Sequence, residues 1–441
     1  MEDYTKKSFW LASSPYTENP PLEGEIKVDV AIIGGGFTGI ASSYFLKQQE
    51  PSLRVAVLES EVVGYGASGR NGGFAMTLFG MTMGLTALRF GKQKALEAHR
   101  YMEKAVDLVK DLVIKHNIDC DFEFPGFLRV ATTAKFEKRI KHEVELAQSL
   151  GIKGIEWIDR EKTIEQVNSP LYLGAWWEPR CGLVNPAKLV RGLMKVAQGM
   201  GVDFYDRTPV LEVKKNGKIH LKTPGGSVIA DKLVFATNAY SHLIPQLRRK
   251  QVPVFTYIVL TEPLREEHFK EIRWKNRQGI EDARDFVHYY RLTRDNRLLM
   301  GGRDITFAVG KDMDKDLNER IFKQLEDDIV LTFPALKDVK ITHRWGGPVS
   351  VPTDLSPAMG YLGDKRIVYS LGCVGHGVAL THMNGWTISD LLLEKKTERT
   401  ETFFVNRTVI PWPPEPFRFI MSSAIYSYMR MEDKVLDKAY H

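Results

Sequence analysis

The sequence predicts an α/β protein. One domain is assembled from segments far apart in the chain, and the segments between them form a second domain. Three observations predict this. Residues 28–39 read VDVAIIGGGFTG and are answered by Glu59 in VAVLES. A second glycine-rich block, GYGASGRNGG, occupies residues 64–73, and a third, LGCVGHGV, occupies residues 371–378. Long stretches separate these segments without any internal repeat, so the domain they define has to be discontinuous.

The first element reads as strand, glycine turn, helix, second strand, acid. VDVAII is continuously apolar, as a strand of a parallel sheet covered on both faces requires. The glycines of G-x-G-x-x-G fall at Gly34, Gly36 and Gly39, with Phe37 and Thr38 between the last two. Gly34 permits the tight turn, Gly36 lets the backbone approach a pyrophosphate, and Gly39 lets the helix pack closely on the strand. The helix N-terminus offers N–H groups and a positive dipole end to phosphates. Glu59, followed by Ser60, is placed to accept hydrogen bonds from ribose hydroxyls. An acid there disfavours a 2′-phosphate, which argues for NAD or FAD over NADP.

Composition sets limits. The chain has 441 residues, 43% of them hydrophobic, enough for a large core and two domains. Cys120, Cys181 and Cys373 lie far apart with no C-x-x-C, so neither a disulfide framework nor a metal site is expected. The N-terminal stretch has no apolar signal-peptide core, and no run reaches the ~20 apolar residues of a membrane span. A cytoplasmic protein is expected. The net charge of +6 is spread over scattered pairs such as Lys214-Lys215 and Lys395-Lys396. That pattern is a solvated surface, or a mild attraction for an anionic cofactor or substrate, rather than a nucleic-acid site.

The remaining elements follow in order. Residues 1–26 are an irregular, proline-interrupted lead-in. Residues 86–116 have apolar positions three and four apart and predict one long helix. Residues 122–133 predict strand, turn, strand, and residues 134–151 an amphipathic helix stopped by Gly151. Residues 185–201 predict a helix opened by Pro186. Short strands follow, with hairpins at Asn216-Gly217 and Gly225-Gly226, up to a strand end at Thr237-Asn238-Ala239. Strands resume in residues 252–264 and 285–304, then a helix over 315–333. Residues 366–395 read strand, glycine loop, helix. The tail predicts a proline turn and a short amphipathic helix docked on the nucleotide-binding domain.

Two of these segments carry chemistry. Five glycines in ten residues exclude a stable helix or sheet interior over residues 64–73. Gly66, Ala67, Ser68, Arg70, Asn71, Gly72 and Gly73 there form a loop that a flat ring and a phosphate can approach. The late loop holds Gly372, Gly375, His376, Gly377 and Val378. Opening a helix, it presents N–H groups and a dipole to a polarised ring atom, for a flavin the N1–C2 carbonyl region. His376 either adds a donor or positive charge there or is simply packed.

These three signals, with Thr237-Asn238-Ala239, Tyr289-Tyr290-Arg291 and the run 297–302 (RLLMGG), resemble the D-amino-acid oxidase family of FAD proteins. GASGRNGG, the 289–304 hairpin and the tail PWPPEPFRF most resemble its γ-glutamylputrescine oxidase and glycine–sarcosine oxidase-like branch. The resemblance implies a Rossmann-like, GR2-type FAD-binding domain with an inserted substrate domain built on a mixed β-sheet. The FAD-binding pieces are then 27–82, 179–244 and 340–396, the substrate pieces 83–178 and 245–339, and the tail 397–441. Val210 and Gly346 complete the expected cofactor contacts.

The resemblance also implies oxidation of an amine or amino acid by hydride transfer to flavin N5, with the imine then hydrolysed. Electrons pass to O₂, giving H₂O₂, or to a quinone or protein acceptor; a non-catalytic flavin-binding accessory role is the other class of reading. Relatives that attach flavin covalently use a histidine where Arg70 stands, or a cysteine in a segment that here reads WGGPVSVPTD. Non-covalent FAD is expected. His288, Tyr290, Arg291, Trp345 and His376 are the candidate catalytic and substrate-contacting residues. Strand alternation puts His288 and Tyr290 on one face and Tyr289 and Arg291 on the other, so they cannot all line one pocket.

Overall fold

The computed structural model describes residues 3–308 and 310–437, organised around two eight-stranded sheets. The first runs Ala358–Tyr361, Ile367–Leu371, Gly226–Phe235, Gly24–Ile33, Val55–Leu58, Val202–Tyr205. The hairpin Glu212–Asn216 and Lys218–Lys222 lies antiparallel beside Gly226–Phe235. The pairings from Ile367–Leu371 through Val202–Tyr205 are all parallel. Ile33 is level with Leu58 and Phe235, so the carboxyl ends of three strands finish on one edge. In open parallel sheets that edge is where ligands bind.

Helix Phe37–Gln49 is buried along most of its length and packs against helices Pro186–Gly199 and Gly377–Leu392. Its approach to the sheet depends on Gly39, where a Cβ would stand 2.0 Å from the Gly34 carbonyl oxygen. Asn185 caps helix Pro186–Gly199, its side chain accepting from the Lys188 N–H at 3.2 Å.

The second sheet runs Ile341–Val351, Val252–Pro263, Arg297–Phe307, His288–Leu292, Gly279–Asp282, Phe127–Ala131, Gly174–Glu178, Glu156–Asp159. It is mixed: Gly279–Asp282 and Phe127–Ala131 are parallel and every other pair is antiparallel. Helix Glu319–Thr332 covers one face, where Phe322, Leu325 and Ile329 share a core with Leu128, Ile280, Tyr290 and Met300.

Several expectations are corrected. The long helix breaks at Gly91 (φ +89°) into Met83–Phe90 and Lys92–Lys115. The second of these packs on helix Gly377–Leu392 and places Tyr101, Met102 and Val106 in the core of the first sheet, although its residues were expected in the substrate domain. The piece expected to join the FAD side at 340 first forms Ile341–Val351, the edge strand of the second sheet, and enters the first sheet only at Ala358. Of the strand–turn–strand expected in 122–133, only Phe127–Ala131 is a strand; Glu123 makes an isolated bridge to Leu183. The lead-in is ordered, with helix Phe9–Ala12 capped by Ser8. The tail helix is not short: it is Phe417–Leu436, and it docks on the second domain. Asp433 accepts the Asp285 and Phe286 N–H groups at 2.9 and 3.0 Å, and Tyr426 donates to Asp304 at 2.7 Å. No helix among the described residues is long and apolar enough to cross a membrane.

Candidate active site

The carboxyl ends of the first sheet open onto a cavity of about 1250 Å³, whose opposite wall is a face of the second sheet. That exceeds the ~300–1,000 Å³ of a typical small-ligand pocket, leaving room for a large cofactor and a substrate. Gly34, Gly36, Phe37 and Thr38 line one end. Gly36 is the N-cap and brings no side-chain cap, while Ser68 Oγ accepts the Phe37 N–H at 2.9 Å. Glu59 and Ser60 line the same end. The Glu59 carboxylate accepts the Gly35 N–H at 2.6 Å and the Glu61 N–H at 3.0 Å. Burial pushes its pKa up, and those two N–H groups oppose the rise.

Gly66, Ala67, Ser68, Arg70, Asn71 and Gly72 form the next stretch of wall, facing Val210, Thr237, Asn238 and Ala239. The block keeps its shape because the Asn71 amide donates to the Ala67 carbonyl at 2.9 Å and accepts the Gly73 N–H at 2.7 Å. Trp10 Nε1 donates to the Asn71 carbonyl at 2.9 Å. Arg70 is buried. It donates to the Tyr65 carbonyl at 2.8 Å, Asp316 at 2.7 Å and the Tyr240 hydroxyl at 3.1 Å. Gly375, His376, Gly377 and Val378 also line the cavity, where helix Gly377–Leu392 begins without a side-chain cap.

Four expected cofactor residues lie behind the wall instead. Gly39 packs on Gly34, Gly73 sits against the Val184 carbonyl and Arg291, and Gly346 lies against the Asp316 carbonyl. The Gly372 N–H donates to Ser350 Oγ at 3.0 Å.

Of the five expected catalytic residues, the cavity wall contains His376 and not His288, Tyr290, Arg291 or Trp345. Strand alternation turns His288 and Tyr290 to the helix-covered face. There the Tyr290 and Tyr172 hydroxyls meet at 2.7 Å, and the His288 ring lies between Asp282 and Asp328, 2.9 Å from each. Arg291 shares a face with Tyr289 but is consumed by the Val184 and Gly73 carbonyls at 2.8 and 3.1 Å. Trp345 Nε1 donates to the Arg70 carbonyl at 2.9 Å, beneath the glycine block. The contribution of strand His288–Leu292 to the wall is Tyr289.

Two wall residues escaped the sequence reading. Register places Arg129 beside Glu281 and Glu281 beside Tyr289, a single cross-strand row facing the cavity. Both charged members are buried. Arg129 Nε lies 3.9 Å from Glu281 Oε1 and has no hydrogen-bond partner among the described residues. Glu281 Oε2 lies 4.0 Å from His376 Nε2. Burial pushes the Glu281 carboxyl up to about 7; Arg129 opposes this and Asp282 adds to it. Burial also drives His376 down to about 4, against its bond to the Gly80 carbonyl. That bond, 2.8 Å from Nδ1 to a carbonyl that can only accept, fixes the proton on Nδ1 and leaves Nε2 a bare lone pair. The missed signal was a charge inside a buried strand: Arg129 in the otherwise apolar FLRVA, and Glu281 beside Asp282 in GIED.

Two helix N-termini whose N-cap residues give no side-chain cap, both lining one cavity, with a ribose-ready carboxylate and a glycine block that admits a flat ring, suit a dinucleotide that carries a flavin. Residues 29–391 match the DAO family of FAD-dependent oxidoreductases, and the chain belongs to that family. It is 31% identical over 415 residues to the γ-glutamylputrescine oxidoreductase of Escherichia coli K12, covering 94% of each chain. It is 30% identical over 402 residues to a probable oxidoreductase, OrdL, of Haemophilus influenzae, covering 89% of each. Among solved structures, glycine oxidase from Geobacillus kaustophilus superposes with a TM-score of 0.74 at 20% identity, covering 87% of this chain and 100% of that one. L-proline dehydrogenase from P. horikoshii gives 0.72 at 20%, covering 91% and 99%. These two share the fold: a Rossmann-like FAD-binding region joined to a mixed-sheet domain.

Proposed function

We propose that this chain oxidises the carbon–nitrogen bond of an amine or amino acid, using FAD held without a covalent link and passing electrons to O₂. The observation that carries the reading is the row Arg129, Glu281, Tyr289 in the cavity wall, with Glu281 Oε2 4.0 Å from Nε2 of His376 in the late glycine loop. The helix at Gly36, Ser68 and Glu59 would hold the nucleotide half of FAD, and the 375–378 loop the ring. When bound, FAD supplies the hydride acceptor. The protein's own work is to exclude water, present the substrate C–H and keep its nitrogen neutral. The likeness to a γ-glutamylputrescine oxidoreductase favours a polyamine-derived substrate, with secondary amines such as sarcosine and small amino acids as competitors. Cys373 lines the cavity, but burial raises its thiol pKa, which disfavours the thiolate that attachment to flavin requires.

The test is anaerobic titration of the yellow protein with γ-glutamylputrescine, putrescine, sarcosine, glycine, proline and D-amino acids. Bleaching near ~450 nm by one of them is expected, with colour returning rapidly in air. Slow return in air would reassign the acceptor to a quinone or protein. A spectrum that none of them changes would overturn the amine reading. Acid precipitation is expected to release the flavin into the supernatant.

A further inference from the structure

We propose that Glu281 is the base that takes the proton from the substrate's ammonium group, and that its carboxylate and Nε2 of His376 together seat the substrate nitrogen. This rests on the amine reading above.

The geometry leaves a gap that a nitrogen fits. Glu281 Oε2 and His376 Nε2 are both acceptors, 4.0 Å apart, so neither can satisfy the other while Glu281 is ionised. A nitrogen placed about 2.9 Å from each can donate to both. No described residue supplies that donor. A carboxylate buried without hydrogen bonds is costly unless something else meets it, and Arg129, the nearest cation, stops 3.9 Å short with its own Nε unpartnered. Two polar groups short of partners and aimed into one cavity mark a place for a ligand.

Arg129 also sets which protonation state of that ligand is held. A second cation beside a buried guanidinium is repelled, so an ammonium group arriving next to Glu281 is driven to give up its proton. In the step, one N–H bond of the ammonium breaks and one O–H bond forms at Glu281. Charge balances, the ammonium and carboxylate becoming a neutral amine and a neutral acid. The neutral amine keeps the lone pair that loss of hydride from the adjacent carbon requires, and its remaining N–H donates to His376 Nε2.

The charged and titratable groups facing Glu281 are Arg129 on one neighbouring strand, Tyr289 on the other, Asp282 on its own strand and His376 on the late loop, with Cys181 behind. The carboxyl's position near 7 suits a base working at neutral pH.

The experiment compares the wild-type holoprotein with Glu281→Gln and Arg129→Met, using whichever amine bleaches the wild type. Anaerobic flavin reduction is followed by stopped flow from pH 6 to pH 10. In the wild type the rate is expected to fall toward acid through about pH 7. In Glu281→Gln it should be ~10²–10⁴-fold slower at pH 7 and recover only as the amine itself deprotonates in solution. In Arg129→Met the acid limb should move to higher pH, since the charge that lowers the carboxyl is gone. A second readout needs no turnover. The analogue with two methyl groups on the carbon bearing nitrogen is bound calorimetrically in buffers of different ionisation enthalpy. The wild type is expected to release no net proton and Glu281→Gln one per analogue bound. An amine that bleaches wild type and Glu281→Gln alike, with one pH profile, leaves the amine reading standing and overturns Glu281 as base. If no amine bleaches the wild type, both fall.

Discussion

Arg70 and Asp316 meet at 2.7 Å with side chains 1% and 9% exposed, joining the glycine block of the first domain to the segment ahead of helix Glu319–Thr332 in the second. Lys7 reaches the same carboxylate at 2.6 Å. Removing one member of a buried pair strands the other, which costs ~3–5 kcal/mol. Asp316→Ala should therefore lose stability on that order and release FAD earlier in a urea titration. Asp316→Asn should lose less, because its amide oxygen still accepts from Arg70. Flavin fluorescence and circular dichroism followed together measure both effects. An Asp316→Ala transition that coincides with wild type would show that the pair does not couple the domains.

The C-terminal helix is a roof fastened from one side. Ile425, Tyr426, Tyr428 and Met429 line the cavity, while Phe417, Ile420 and Met431 are exposed. It is fastened mainly by polar contacts: Asp433 to the 285–286 backbone, Glu432 to Arg139, and Asp437 to Arg284 and Thr132. A chain ending after Trp412 should keep its two main cores and its flavin, because those cores contain no residue of this helix. Its cavity should open to water. Iodide quenching of flavin emission is expected to rise several-fold and the substrate KM to increase. Unchanged quenching would show that the roof does not shield the ring.

The fold was legible in the sequence where local physics decides it. The βαβ unit around Gly34, Gly36 and Gly39, the Asn216-Gly217 hairpin and the helix start at Pro186 each carry their own chemistry. Boundaries set by distant pairing were not legible. Ile341–Val351 joins the second sheet because Val252–Pro263 offers it an edge. Nothing within 341–351 itself announces that. The site divides in the same way. The glycine loops were readable as loops. Period-two alternation showed that His288, Tyr289, Tyr290 and Arg291 could not share a pocket, but not which face held it. Arg129 and Glu281 come together only through register across strands about 150 residues apart in the chain.

The stability of the second domain should depend on pH through His288. Burial disfavours its charged form, but Asp282 and Asp328 outweigh this and hold its pKa above the ordinary value. A group whose folded pKa is raised contributes fully below its unfolded pKa, near ~6.5 for histidine. That contribution is lost as pH rises through the folded value. Urea unfolding of wild type and His288→Asn should therefore differ more at pH 6 than at pH 9. A gap that widens with pH would mean that His288 is neutral in the folded protein.

Tyr289 owes its place in the cavity wall to Gly301 on the neighbouring strand, where a Cβ would stand 2.4 Å from the tyrosine Cζ. The ring cannot retreat freely. Phe74 packs edge-on at 6.0 Å, and a Cβ on Gly72 would lie 2.9 Å from the same ring. Gly301→Ala should thus cost ~1–3 kcal/mol as overpacking and raise the substrate KM by pushing the ring into the cavity. Tyr289→Ala should remove the clash, leaving Gly301→Ala nearly neutral in that background. The double-mutant cycle isolates the contact, because Gly301→Ala changes little else on this face. A coupling of more than ~1 kcal/mol, with the double variant more stable than the two single losses predict, is the expected result. Additive losses would instead place the cost of Gly301→Ala in the backbone of strand Arg297–Phe307.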